Sequence, residues 1–164
     1  MGSTFEELKT LLNKYVQEVE DTKTIIDVTS TSCIDSNVNA SPGVYWIETT
    51  MPVDKLQCAI SDVLGKPKKI RASHPQGSKL IEQKDSEYYV VYSGTEENLN
   101  KRLKQHLFNQ GHTETVKLGC VIDDKPFSDY KWRVSFSFID SYEIRYAVEA
   151  CWRLNKGWPK FCLR

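Results

Sequence analysis

Apolar and polar positions recur along this chain in two different periods, and the change of period marks where helices give way to strands. From Ser3 to Glu20, Phe5, Leu8, Leu12, Tyr15 and Val19 return every three or four residues, the pattern of one helical face. Ser3 with Glu6, and Thr4 with Glu7, each offer a capping box at its start. That stripe predicts either core packing or contact with a second copy of the chain. Asp27 to Pro42 has no period and is rich in Ser, Thr and Asn, so it reads as an irregular linker. Gly43 to Glu48 (GVYWIE) and Tyr88 to Tyr92 (YYVVY) are runs of strand formers expected to pair. Between them lies an insertion, in which Val53 to Leu64 predicts a helix and Lys66 to Lys79 (KPKKIRASHPQGSK) is basic and turn-rich.

Thr95 can cap a helix from Glu96 to Gln110 with Leu99, Leu103 and Leu107 on its apolar face, and Gly111 can end it. Tyr130 to Ile139 (YKWRVSFSFI) alternates in period two, with Trp132, Val134, Phe136 and Phe138 on one side, which predicts a strand with one buried face. A last helix is expected from Ser141 to Asn155. Residues 1–40 thus read as an N-terminal helix and linker, and residues 41–164 as the main domain, with its insertion at about 49–86.

Composition narrows the class. With 164 residues and 40% hydrophobic content the chain can build one core, and no apolar run approaches the roughly 20 residues of a membrane span. The polar start MGSTFEELKT has neither a basic region nor an apolar one, so a cytoplasmic location is expected; the sixth position is not Ser or Thr, which discounts a myristoyl anchor. Five cysteines without a C-x-x-C pair read as reduced and mostly buried, and the three histidines lack H-x-x-x-H spacing. Charge is uneven: residues 1–64 hold 4 Lys/Arg against 10 Asp/Glu, and residues 65–164 hold 18 against 12. A polyanion would meet the second part of the chain.

The candidate chemistry sits in YVVYSGTEENLNKRLKQH, Tyr89 to His106, where a strand meets a Ser-Gly turn and then a helix. On a helix Arg102 and His106 project about 40° apart, with His106 about 20° from Leu99, so the pair borders the edge that packs on the sheet. A guanidinium there suits phosphate, because it offers two parallel donors and keeps its charge at every working pH. The alternative is an Arg that merely snorkels beside a His.

In order and spacing the chain resembles the GIY-YIG nuclease family. Gly43-Val44-Tyr45 is similar to the first tripeptide and Tyr92-Ser93-Gly94 to the second, followed by Asn98-Leu99-x-Lys101-Arg102-Leu103 and His106. The resemblance runs from Gly43 onward, interrupted by the insertion. It implies an α+β fold, a small three-stranded antiparallel sheet flanked by helices, and hydrolysis of a DNA phosphodiester with one Mg²⁺ or Mn²⁺. It also implies a metal-binding glutamate on the last helix. Glu149 occupies the similar place, with Glu143 as competitor, and on a helical wheel Glu149 falls opposite the apolar stripe Ile144, Val148 and Cys151. By the same resemblance Tyr45 activates or relays a proton from water, Tyr92 hydrogen-bonds beside it, Arg102 stabilises phosphoryl charge and His106 positions the phosphate or moves a proton.

Four departures stand out: Val44 and Ser93 each stand where the family has Ile, Ser93 being polar, Cys162 stands where it usually has Asn, and the insertion is long. Lys66, Lys68, Lys69, Arg71 and Lys79, with Lys101, are the candidate DNA-phosphate contacts, and His74 or Gln76 the candidate base readers. A short catalytic chain with an insertion and no appended domain is similar to restriction endonucleases that act as homodimers. The other readings are a structure-specific repair or recombination nuclease, and a catalytically weak nucleic-acid-binding or interaction module that keeps the fold.

Overall fold

The computed structural model describes residues 2–64, 75–110 and 121–162, with the side chains of 61–64 excepted. In chain order the elements are α1 (Thr4–Thr22), β1 (Thr24–Asp27), α2 (Thr31–Asn37), β2 (Gly43–Thr49) and α3 (Val53–Leu64), followed by β3 (Tyr89–Glu96), α4 (Leu99–Leu107), a 3₁₀ turn (Phe127–Asp129), β4 (Trp132–Phe138) and α5 (Tyr142–Lys156). The fold is α+β, with an open antiparallel sheet of four strands in the order β1-β4-β2-β3.

Four strands replace the three expected. The extra one, β1, pairs along β4 from Thr24↔Phe136 to Asp27↔Arg133. Its segment TIID is short and mostly exposed, as an edge strand can be, so it shows no burial period. The expected linker is also partly ordered, because Thr31–Asn37 forms α2 and buries Ile34.

Helices cover both faces of the sheet. One core holds Tyr45, Ile47, Val91, Val134 and Phe136 from the strands against Ile34 of α2, Leu56 and Ile60 of α3, and Leu99, Leu103 and Leu107 of α4. The other holds Val44, Trp46, Val148 and Trp152 with Val16 and Val19 of α1. The period-two reading of β4 holds for Trp132, Val134 and Phe136, whereas Phe138 at the strand end is half exposed.

Helix ends differ from expectation where side chains compete for the cap. Asn98, not Thr95, caps α4 by accepting from the Lys101 N–H at 2.9 Å, so β3 runs on to Glu96 and the helix is only nine residues long. The stripe expected on α1 is only partly buried: Val19 is in the core beside Val16 and Leu12 packs against it, whereas Tyr15 is exposed, as are Phe5 and Leu8 with their neighbour Leu11, at 67, 64 and 65%. Among the four described cysteines only Cys162 is buried, which corrects the expectation of mostly buried thiols. No helix among the described residues is long and apolar enough to cross a membrane.

Candidate active site

β2 lies between β4 and β3, and its alternation sends Tyr45 toward α4 and Trp46 toward α5. On β3 simple alternation would send Tyr92 toward α5. It does not, because the β2–β3 register shifts: Ile47 pairs with Tyr92 but Glu48 with Val90, so Val91 is the extra residue of a β-bulge. Val91 and Tyr92 therefore both pack on the α4 side, and Tyr92 comes to stack on Tyr45 with ring centroids 6.2 Å apart.

Helix α4 closes over the two rings. His106 is fully buried, its Nε2 lies 2.9 Å from the Tyr45 hydroxyl, and its ring centroid is 4.4 Å from that of Tyr92. Arg102, one turn earlier, lies beside the Tyr45 and Tyr92 hydroxyls, where its charge favours their ionised forms, and it donates to Gln105 Oε1 at 3.0 Å. Glu96 lies 3.8 Å from Arg102 Nε.

The two glycines of the tripeptides have a steric reason. A Cβ on Gly94 would stand 2.6 Å from the Tyr45 hydroxyl, and one on Gly43 would stand 2.4 Å from the Ser137 carbonyl and 2.7 Å from Leu99 Cδ1. Tyr45 occupies the volume that a side chain at 94 would take. At Gly43 the β4 backbone and α4 close in from two sides.

Glu149 approaches from α5. Contrary to the wheel built on apolar residues, the buried face of α5 is Arg145, Val148, Glu149 and Trp152, and Ile144 is 42% exposed. Charged side chains can line that face because each has an opposite charge: Arg145 pairs with Glu97 and Glu149 with Arg153. Glu143 is exposed in the first turn, held by Ser141. The Ser93 hydroxyl lies 3.5 Å from Glu149 Oε1.

Electrostatics join the two halves of the site. Burial holds the Tyr45 phenol well above its usual range, helped by the neighbouring Tyr92 and opposed by Arg102. Tyr92 is pushed up to about 12, first by burial and then by Cys162 and Glu149, again opposed by Arg102. Both tyrosines are thus neutral at physiological pH. Tyr45 can pass a proton only as part of a chain that ends on a better base, and His106 Nε2 is in contact with it. Glu149 is raised by burial, with Arg153 and Ser93 acting in the other direction.

A hard divalent ion takes few protein oxygens and keeps waters or adds substrate phosphate oxygens. Glu149, a buried carboxylate, could meet that demand as a single ligand once the Arg153 guanidinium on its Oε1 moves aside. No cluster of three or more His, Cys, Asp or Glu able to hold a metal occurs among the described residues.

The five side chains singled out from the sequence, Tyr45, Tyr92, Arg102, His106 and Glu149, thus lie around one end of the β2–β3 pair. Of the six basic candidates for DNA contact, Lys79 and Lys101 are exposed, while Lys66, Lys68, Lys69 and Arg71, like His74, lie outside the described residues. Sequence reasoning missed Arg153. Its guanidinium bonds Ser93 through Nε to Oγ at 2.9 Å and through Nη2 to the carbonyl at 3.0 Å, and it contacts Glu149. The signal was the i,i+4 spacing of Glu149 and Arg153 on one helix. Ser93 and Cys162 meet here: the Ser93 N–H points at Cys162 Sγ, 3.1 Å away.

No protein-family model, curated protein or solved structure matches this chain.

Proposed function

We propose that this chain is a divalent-metal-dependent DNA endonuclease of the GIY-YIG type, in a restriction-type role. The observation that supports the reading is the approach of Tyr45, Tyr92, Arg102 and His106 from one side, and Glu149 from the other, to the same strand pair. A Mg²⁺ or Mn²⁺ ion held by Glu149 would supply Lewis-acid polarisation of a phosphoryl oxygen. The remaining chemistry belongs to the chain. Tyr45 accepts the proton of the attacking water as it gives its own to His106 Nε2, so no free phenolate forms. Arg102, already aimed at both hydroxyls, stabilises charge that builds on the phosphoryl oxygens, and Tyr92 holds the His106 ring in place.

The test is hydrolysis of DNA by point variants. Arg102→Ala is expected to slow cleavage by about 10²- to 10³-fold, the usual loss for a preorganised charge stabiliser. Tyr45→Phe, which keeps the ring but removes the relay hydroxyl, is expected to fall in the same range. Near wild-type rates for both would remove this site from the reaction.

One observation favours a second reading, a nucleic-acid-binding module with weak catalysis: Arg153 stands on the carboxylate that the nuclease reading gives to a metal. A folded chain that binds DNA but cleaves none would support it.

A second copy of the chain is the proposed protein partner, and α1 is its contact. The first turns of α1 are exposed all round, yet carry Phe5, Leu8 and Leu11, and a helical stretch that short is marginal in water without packing. An antiparallel pair of such arms centred near Thr10 would set Glu6 and Glu7 beside Lys14 of the other copy, whereas an in-register parallel pair would set like charges together.

A further inference from the structure

Arg153 joins three parts of the molecule. Besides its bonds to Ser93 on β3 and to Glu149 one turn earlier on α5, its Nη2 lies 3.4 Å from Cys162 Sγ, and the guanidinium stacks 4.7 Å over the Trp158 ring of the C-terminal segment. That segment is fixed in turn, because the Phe161 N–H donates to the Val91 carbonyl at 3.2 Å, at the bulge that orients Tyr92. The Arg153 side chain is 9% exposed.

A buried carboxylate needs a proton, a paired cation or a metal ion beside it. Here the cation is Arg153, and it contacts Oε1, the same oxygen that the Ser93 hydroxyl faces. A divalent ion bound to that carboxylate would stand within a few ångströms of the guanidinium, and two cations that close in a half-dry site repel strongly. Metal and guanidinium therefore compete for Glu149.

We propose that Arg153 is the resident counter-ion of Glu149, which a divalent metal must displace to bind, and that a substrate phosphate receives the displaced guanidinium. The inference rests on the nuclease reading, which makes Glu149 the metal carboxylate. Phosphate is a fitting acceptor because it offers two oxygens to the planar fork of an arginine. Metal and nucleic acid then bind cooperatively, since each relieves the cost that the other would meet alone. Arg153 acts in this scheme as a positioning residue that keeps the site from loading metal before nucleic acid arrives.

The test is calorimetric titration of the full chain with Mn²⁺, without DNA and then with a short duplex whose phosphodiesters are replaced by cleavage-resistant phosphorothioates. Without DNA, Arg153→Gln is expected to bind Mn²⁺ at least tenfold more tightly than the wild type, with Arg153→Lys between the two. The duplex is expected to raise the affinity of the wild type but not of Arg153→Gln, and Glu149→Gln is expected to abolish binding throughout. Should Arg153→Gln fail to fold by circular dichroism, Arg153→Lys carries the comparison. Equal Mn²⁺ affinity in wild type and Arg153 variants, lost in Glu149→Gln, would overturn the counter-ion proposal and leave the nuclease reading standing. No Mn²⁺ binding by any variant, with or without duplex, would overturn both.

Discussion

Gly43 and Gly94 decide the geometry of the site by what they leave out. Alanine at 43 would press a methyl group against the Ser137 carbonyl and Leu99, one of them backbone that cannot give way, and overpacking of this kind costs about 1–3 kcal/mol. Alanine at 94 would meet the end of the Tyr45 side chain, which can shift, but only by leaving His106 Nε2. Gly43→Ala is therefore expected to lower the melting temperature by several degrees, and Gly94→Ala to lower it less while cutting cleavage at least tenfold. Calorimetry and a cleavage assay on the same preparations check this, and the reverse order of effects would contradict it. Which side chains to look for came from the resemblance of the two tripeptides and the helix after them, whereas the side on which Tyr92 lies is set by strand pairing. The Arg153 contact was not legible in the sequence. A wheel sorted by hydropathy places both members of an ion pair outside, whereas neutralising each other lets Glu149 and Arg153 turn inward.

Among the elements, α4 carries the most chemistry on the shortest frame, with Arg102 and His106 on nine residues. Its N-terminal turn depends on the Asn98 side chain. Asn98→Ala is expected to cost about 1 kcal/mol, a drop of roughly 2–4 °C in melting temperature for a chain this size, and to weaken cleavage in parallel because Arg102 lies in the second turn. A thermal scan that shows no change would contradict that role. The strands β2, β3 and β4 and the helices α1, α3, α4 and α5 could be read from period and turn residues to within a few positions. β1 could not, since four residues on an exposed edge bury too little to leave a pattern. Nor could the bulge at Val91, which arises from how β2 and β3 pair and reverses the side on which Tyr92 lies.

For the whole molecule, the sheet is the wall between a core under α4 and a core under α5, and the site gathers where groups from both sides meet at β2 and β3. The start of α1 leaves Phe5, Leu8 and Leu11 uncovered. Sedimentation is expected to show a dimer that Leu8→Glu with Leu11→Glu converts to monomer. Lys14→Glu is expected to weaken the dimer and added Glu6→Lys to restore it; a wild-type monomer at all concentrations would contradict the arm-to-arm contact. The proposed chemistry is tested by incubating supercoiled plasmid at low salt with Mg²⁺ or Mn²⁺, beside chelator and Glu149→Gln controls. Discrete fragments that vanish in both controls are expected. Intact plasmid with either metal, from a folded protein that retards the same DNA in a gel, would contradict it.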